Sequence, residues 1–146
     1  MKIMLDAGHY GDYQNMSPCD TNPRYYESTM TWKLHLRLKM ALEKLGFEVG
    51  VTRKKKDQDL PVYERGQMAK GYDLFLSLHS NACSPPDGSF APVENTDRPV
   101  IIYSLSSGEE QQRIANRLGN CVEMTMGTQH YQLFQLEYPG RPGVDY

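Results

Sequence analysis

The sequence predicts one three-layer α/β/α domain built around a mostly parallel sheet. Four short apolar runs alternate with three segments of helical periodicity, in the order strand, helix, strand, helix, strand, strand, helix. This order is typical of a parallel sheet with helices on its faces. With 146 residues, 39% of them hydrophobic, the chain is long enough to bury one continuous core, so we expect residues 1–146 to form a single domain.

The first predicted strand is the apolar run 2–5, which breaks into a loop near Gly8. Residues 10–27 have no period and contain one glycine, two prolines and two asparagines, which predicts a long loop. A helix is predicted from Ser28, a suitable N-cap, to a stop at Gly46. Its apolar residues recur at helical spacing: Leu34, Leu38, Ala41, Leu42 and Leu45.

The middle of the chain predicts a strand, a helix and a second strand. Residues 47–52 alternate in strand fashion, and residues 61–70 form a helix opened by proline and closed at glycine. Residues 73–78 are almost continuously apolar. Such a run is expected of a central parallel strand that is covered on both faces.

The second half predicts a strand and a third helix. Residues 83–99 hold four prolines and are expected to be loop, followed by a strand at 100–104 and a helix at 107–126. The tail from Tyr138 is rich in proline and glycine and predicts no further element. The expected inner face of the helix consists of Ile114, Leu118, Cys121, Val122 and Thr125.

Charge gives no indication of a nucleic-acid partner. Sixteen basic residues face eighteen acidic ones, for a net charge of -2, and nucleic-acid-binding domains are usually basic. The one dense basic run, Arg53 to Lys56, follows a predicted strand and is interpreted as a solvated loop face.

The first residues and the cysteines predict neither a signal peptide nor a disulfide framework. The apolar stretch before Asp6 is too short for a signal-peptide core or a membrane span, so we expect no membrane insertion, and export would need a signal outside this sequence. The three cysteines are too scattered for a disulfide framework or a zinc knuckle, which predicts buried or idle thiols at Cys19, Cys83 and Cys121.

Two histidines follow predicted strands whose carboxyl ends should lie at the same sheet edge. His9 follows the first strand and His79 ends the most apolar one. Glu27 lies one residue before the first predicted helix, and the long loop could return it to that edge. Two imidazoles and a carboxylate are a ligand set for catalytic Zn²⁺, with water in the fourth position. The alternative, histidines that only satisfy hydrogen bonds, stays open at this point.

The other candidate side chains have competing interpretations. His35 and His130 do not follow strands and are interpreted as structural or surface residues. Asn81 is predicted either to donate to substrate carbonyls or to form a turn. Arg65 faces either a carboxylate or solvent. Four tyrosines of the long loop either line a groove or pack the loop: Tyr10, Tyr13, Tyr25 and Tyr26.

Taken together, the motifs resemble the zinc-dependent N-acetylmuramoyl-L-alanine amidases of the type 3 family. The likeness is close over about residues 2–82 and is carried by five segments: Ile3 to His9, Tyr26 to Ser28, Gly46 to Arg53, Leu60 to Ala69 and Asp73 to Ala82. The resemblance implies a metal set of His9, Glu27 and His79. It also implies hydrolysis of the amide between N-acetylmuramic acid and the L-alanine of the peptidoglycan stem peptide.

The chain departs from the family pattern in two places. The loop between His9 and Glu27 is longer than the family's compact stretch and rich in tyrosine, asparagine and proline. The family also places a catalytic glutamate on a strand after the third helix, and we expect the chain to end before that strand. Glu137 and Asp145 are the acidic residues near this point. Glu137 is interpreted as a surface residue because no apolar strand precedes it, which leaves the catalytic group unassigned and the sheet truncated.

Three other functions remain as alternatives. The first is a non-catalytic peptidoglycan-binding or sensor module, and the second is another zinc amidohydrolase that acts on small peptides or acetylated sugars. The third, a flavodoxin-like binding domain, is disfavoured because no glycine-rich phosphate motif follows any strand. A wall substrate implies action at the cell envelope, as an exported enzyme or a phage lysin.

Overall fold

The computed structural model describes residues 1–10, 26–80, 97–104 and 107–136. The chain divides into two compact units, Met1–Pro92 and Val93–Tyr146. Every strand pair in the described residues is parallel, so the predicted α/β class with a parallel sheet is confirmed. The expectation of a single domain stays a prediction.

The first unit is a three-stranded sheet with two helices. Its elements are β1 (Lys2–Ala7), α1 (Glu27–Lys44), β2 (Glu48–Val51), α2 (Val62–Met68) and β3 (Leu74–Leu78). The strand order is β2-β1-β3. The carboxyl ends of its three strands therefore meet at one edge, as parallel pairing requires.

The core of this unit lies along β1. Ile3, Met4, Leu5 and Ala7 are all nearly inaccessible to solvent, because β1 has a strand on each side and α1 packs on it. The expectation that 73–78 is the central strand covered on both faces is wrong for the described residues. There β3 pairs with β1 alone, and Phe75 remains 40% exposed.

Helix α1 presents a largely polar face to the sheet. Ser28, Thr31 and His35 are buried, and their spacing of three and four places them on one stripe. The neighbouring stripe is exposed at Leu34 and Leu45. The predicted helix is confirmed, but it begins at Glu27 rather than after it, so Glu27 belongs to the first turn.

The second unit contains two paired strands and one helix. Its elements are β4 (Val100–Ser104), α3 (Glu109–Met126) and β5 (Gln132–Leu136), with β4 and β5 in parallel register. Since parallel neighbours need a crossover, α3 serves as the connection. Gly127, with a positive φ of 67°, ends the helix in a left-handed C-terminal turn.

The buried face of α3 differs from the predicted one. Ala115 and Gly119 are buried, whereas Cys121 and Thr125 are exposed. The ring of Tyr131 lies where a side chain at Gly119 would be, so the small residues of α3 provide the packing surface. The remaining predicted positions, Ile114, Leu118 and Val122, are half-buried.

Strand β5 was not expected from the sequence. Gln132 and Gln135 interrupt its apolar residues, and this hides the strand from a pattern-based interpretation. The argument against Glu137, that no strand precedes it, is therefore wrong, because β5 ends at the residue before it. Glu137 itself, like Asp145, lies outside the described residues.

Candidate metal centre

His9 lies in the loop that follows β1, two residues after the strand ends. Its backbone adopts a positive φ of 58°, which is unusual for a residue with a side chain. Just before it, Gly8 donates its amide to the carbonyl oxygen of Leu78 at 2.9 Å, so the strand pairing extends up to the ligand loop. The imidazole is half-buried.

Glu27 places its carboxylate between the two histidines. Its Oε2 lies 3.2 Å from His9 Nε2, and its Oε1 lies 3.0 Å from His79 Nδ1. The backbone amide of Ser80 donates to the same Oε1 at 2.8 Å. The side chain is only 11% exposed, and the first turn of α1 fixes it at the sheet edge.

His79 follows β3 and packs against the backbone of Gly8. A Cβ added at Gly8 would lie 2.6 Å from His79 Cε1 and 2.7 Å from Nδ1. The imidazole therefore occupies the space that the missing side chain leaves. The rings of His9 and His79 meet edge to face, with centroids 5.0 Å apart and an interplanar angle of 84°.

The three side chains offer a set of donor atoms that fits a metal ion. One ligand atom from each of His9, Glu27 and His79 lies within 4.8 Å of the other two. Within the described ranges this is the one such group of three. Two imidazole nitrogens and one carboxylate oxygen match the donors that Zn²⁺ takes in hydrolytic sites.

The charges around the site favour the ligand forms of His9 and Glu27. Burial is the largest effect on the pKa of His9 and lowers it, whereas the negative charge of Glu27 raises it. The positive charges of His79, Arg65 and Arg53 lower it further, so the pKa of His9 lies below 6.5. For Glu27, burial alone raises the pKa. Hydrogen bonds from His79 and Ser80 and the charges of the two histidines outweigh it, and the pKa falls below its usual value. A neutral imidazole and an ionised carboxylate are the forms that bind metals.

Beneath the site, Asp6 ties the strands together. Its Oδ1 accepts from Arg65 Nη1 at 2.9 Å and from Thr52 Oγ1 at 2.5 Å, and its Oδ2 accepts from Ser77 Oγ at 2.7 Å. Of the two interpretations of Arg65, the structure thus selects the one that faces a carboxylate. A buried carboxylate with all these partners is a satisfied anchor rather than an isolated charge.

Arg53 corrects one prediction from the sequence. The sequence predicts a solvated loop face for the run from Arg53 to Lys56, and Lys54 to Lys56 are indeed exposed. Arg53, however, is only 1% exposed. Its guanidinium turns inward to backbone carbonyls and lies over the ring of Trp32, 5.3 Å from the centroid. In a run of four basic residues, nothing in the sequence indicates that Arg53 is buried while its neighbours are exposed.

The remaining sequence candidates fall into three groups. His35 is structural, fully buried against Trp32 with ring centroids 4.4 Å apart, and His130 is an exposed residue paired with Glu123. Tyr10 and Tyr26 are half-buried near the site segments. The other predicted residues lie outside the described part of the chain: Tyr13, Cys19, Tyr25, Asn81 and Cys83.

None of the described helices combines the length and the apolar character that crossing a bilayer requires.

Comparisons with known proteins agree on one family. The sequence model of the family Amidase_3, N-acetylmuramoyl-L-alanine amidase, matches residues 3–136. No curated protein sequence matches the chain.

Among solved structures, the catalytic domain of CwlV, an N-acetylmuramoyl-L-alanine amidase from Bacillus (Paenibacillus) polymyxa var. colistinus, superposes with a TM-score of 0.70 at 17% identity. The match covers 92% of this chain and 70% of that one. The N-acetylmuramoyl-L-alanine amidase from Clostridium difficile 630 gives 0.71 at 16% identity, covering 92% and 69%. Apo Ami1 from Mycobacterium abscessus gives 0.64 at 18%, covering 92% and 74%. The family match spans most of the chain and the folds agree, so this chain belongs to the N-acetylmuramoyl-L-alanine amidase family.

Proposed function

We propose that the chain holds one Zn²⁺ through His9, Glu27 and His79 and hydrolyses the amide between N-acetylmuramic acid and the L-alanine of peptidoglycan stem peptides. The observation that carries the proposal is the convergence of three donor atoms within 4.8 Å at the carboxyl edge of a parallel sheet. Family membership supports the reaction class, and the donor set supports the metal.

The protonation states of the site suit this role. The lowered pKa values of His9 and Glu27 mean that neither group has to lose a proton to bind a cation near neutral pH. Before the cation arrives, the carboxylate of Glu27 accepts a hydrogen bond from His79 and lies 3.2 Å from His9 Nε2. These contacts hold the three side chains together and reduce the ordering needed for binding.

Each element contributes one part of the reaction site. When bound, zinc supplies an activated water and polarises the scissile carbonyl. The first turn of α1 keeps Glu27 nearly buried between the histidines, and the Ser80 amide fixes one of its carboxylate oxygens. His79 is about half exposed, so substrate approaches from its side of the site. Asn81, two residues further on, is proposed to donate to substrate carbonyls at this edge.

The family suggests action at the cell envelope or outside the cell. We propose that the protein reaches peptidoglycan there, as an exported enzyme or as a phage lysin.

Metal analysis tests the ligand assignment. Protein purified without chelator is expected to carry about one zinc per chain, and His79→Ala is expected to lose most of it because two ligands hold zinc poorly. The matched control is His130→Ala, which removes an exposed histidine of the second unit and should leave the zinc content unchanged. A wild-type protein that is free of metal, or zinc content indifferent to His79→Ala, would overturn the assignment.

Digestion of purified peptidoglycan tests the reaction. Mass spectrometry is expected to detect free stem peptides with an N-terminal L-alanine, and their release should disappear with His79→Ala but not with His130→Ala. Binding to peptidoglycan without release of peptides would instead indicate a wall-binding module. Release of other products, such as acetate or shorter peptides, would indicate a different amidohydrolase.

A further inference from the structure

Two buried guanidiniums lie under the loop that carries His9. We propose that Arg53 and Arg65 are positioning residues that hold this loop, and hence the His9 ligand, by binding its three successive carbonyl oxygens. The inference deepens the proposed function and rests on it, because it concerns how well the same site binds its metal.

The carbonyl oxygens of Ala7, Gly8 and His9 all accept hydrogen bonds from the two arginines. Arg65 donates from Nη1 to Ala7 O at 2.9 Å and from Nη2 to His9 O at 2.8 Å. Arg53 donates from Nε to Ala7 O at 3.0 Å and from Nη2 to Gly8 O at 3.3 Å. The orientation of all three carbonyl groups is therefore fixed by hydrogen bonds from the arginines.

The same contacts connect the loop to the helix that carries Glu27. Nη2 of Arg53 also lies 3.4 Å from the carbonyl oxygen of Ser28, the residue after Glu27. From α1, Thr31 Oγ1 donates to Gly8 O at 2.9 Å. Arg53 therefore contacts the backbone beside two of the three proposed ligands, and a shift of its guanidinium would move both.

The conformation of His9 shows why such support is needed. A positive φ at a residue with a side chain costs on the order of 1 kcal/mol and persists where the surroundings impose it. Here the bond from Arg65 to His9 O holds the strained residue itself. Without this bond, we expect the loop to relax and His9 to leave the position that faces Glu27.

The arrangement depends on the shape of the guanidinium as well as on its charge. Arg65 serves four acceptors from three nitrogens, since its Nε donates to Leu60 O and its Nη1 also reaches Asp6. Arg53 likewise uses Nη1 to bind the carbonyl of Lys56 at 2.9 Å. A lysine keeps the charge but offers a single point donor, so it cannot reproduce the fork.

Electrostatics argues against a purely stabilising role for the pair. Burial and the charge of Arg65 lower the pKa of Arg53 to about 10, so Arg53 remains cationic at neutral pH. Two buried cations share one carboxylate, Asp6, and the loop carbonyls supply the remaining compensation. Replacing buried ionic groups by apolar ones is often neutral or stabilising, which indicates that this cluster is kept for the geometry that it imposes.

Zinc affinity and apo-protein stability, measured side by side, test the proposal. Competition with a chromophoric chelator gives the zinc dissociation constant, and thermal unfolding followed by circular dichroism gives the stability of the metal-free protein. Arg65→Lys and Arg53→Lys are each expected to weaken zinc binding by roughly 10-fold or more, the range seen when groups supporting metal ligands are changed.

Two control variants separate positioning from general destabilisation. Ile3→Ala removes core contacts at the amino end of β1, far along the strand from the loop, and should lower stability without a matching loss of zinc affinity. Lys54→Gln changes the exposed neighbour of Arg53 and should alter neither quantity.

The outcomes are distinct. Zinc affinity unchanged in both lysine variants, or lowered equally in Ile3→Ala at the same loss of stability, would overturn the proposal. If the lysine variants do not fold, Thr31→Val is the deciding variant, because it removes the second donor to Gly8 O, beside Arg53, at little steric cost. It should weaken zinc binding, and an unchanged dissociation constant refutes the proposal. A wild-type protein that binds no zinc would instead refute the proposed function.

Discussion

Replacing Gly8 by alanine adds a single methyl group at the point where β1, β3 and the candidate metal site meet. The new Cβ would lie 2.6 Å from His79 Cε1, 2.7 Å from His79 Nδ1 and 2.7 Å from the carbonyl oxygen of Leu78. Because the favourable distance between two non-bonded carbon atoms is about 3.5 Å or more, the imidazole would have to move away from the new Cβ by roughly 0.9 Å. The Leu78 carbonyl belongs to the backbone, so a side-chain rotation alone does not relieve the contact.

Such a displacement exceeds what a metal site tolerates, because ligand distances must be kept to within about 0.2 Å. We expect Gly8→Ala to weaken zinc binding by roughly 10-fold or more and to destabilise the protein by about 1–3 kcal/mol, the usual range for overpacking. Chelator competition and urea unfolding measure the two effects.

Gly66→Ala is the matched control for this change. Gly66 lies inside α2, and a Cβ there would meet nothing within 4 Å. We expect unchanged zinc affinity and a gain of about 0.5–1 kcal/mol, since alanine favours helix more than glycine does. A Gly8→Ala protein that binds zinc as tightly as the wild type would refute the claim that His79 depends on this space.

Three further variants test other parts of the structure. Glu27→Gln keeps the size of the side chain but removes its charge, so zinc content and peptide release should both fall by at least roughly 10-fold, as measured by metal analysis and mass spectrometry. The folded-state pKa of His35 lies below 6.5, mainly through burial. The unfolded state therefore binds more protons than the folded state below about pH 6.5. The free energy of unfolding should decrease as the pH is lowered through this range. In chelator, His35→Phe should show a shallower fall between pH 7 and about pH 5 in urea unfolding, whereas identical pH profiles would contradict this assignment. Gly127→Ala places a side chain at a positive φ and should cost about 1 kcal/mol in thermal unfolding without changing zinc affinity.

The two histidines of the candidate metal site were predictable because their positions follow from topology. Parallel strands bring their carboxyl ends to one edge, so the histidines after the first and third strands were expected to meet. The position of Glu27 could not be predicted in this way, because a long loop precedes it. Its assignment as a ligand came mainly from the family resemblance. The structure brings all three together.

What the sequence did not predict depends on tertiary contacts or on weak patterns. Arg53 is buried because its guanidinium donates to the carbonyl oxygens of Ala7 and Gly8, and nothing local distinguishes it from the lysines that follow. The strand β5 was missed because glutamines interrupt its apolar residues. The central position of β1 also depends on which strands pair, and a strong apolar run at 73–78 pointed to the wrong strand.

The burial of one arginine beside three exposed lysines affects how mutational scans of this protein are interpreted. Neutralising residues 53–56 as a block would remove three solvated charges together with a guanidinium that supports the fold. The expected outcome is lower expression and lost activity, which is also the phenotype expected of a damaged site for anionic wall polymers. Neutralising Lys54, Lys55 and Lys56 while keeping Arg53 separates the two, because only a true polyanion site would then lose binding with the fold intact.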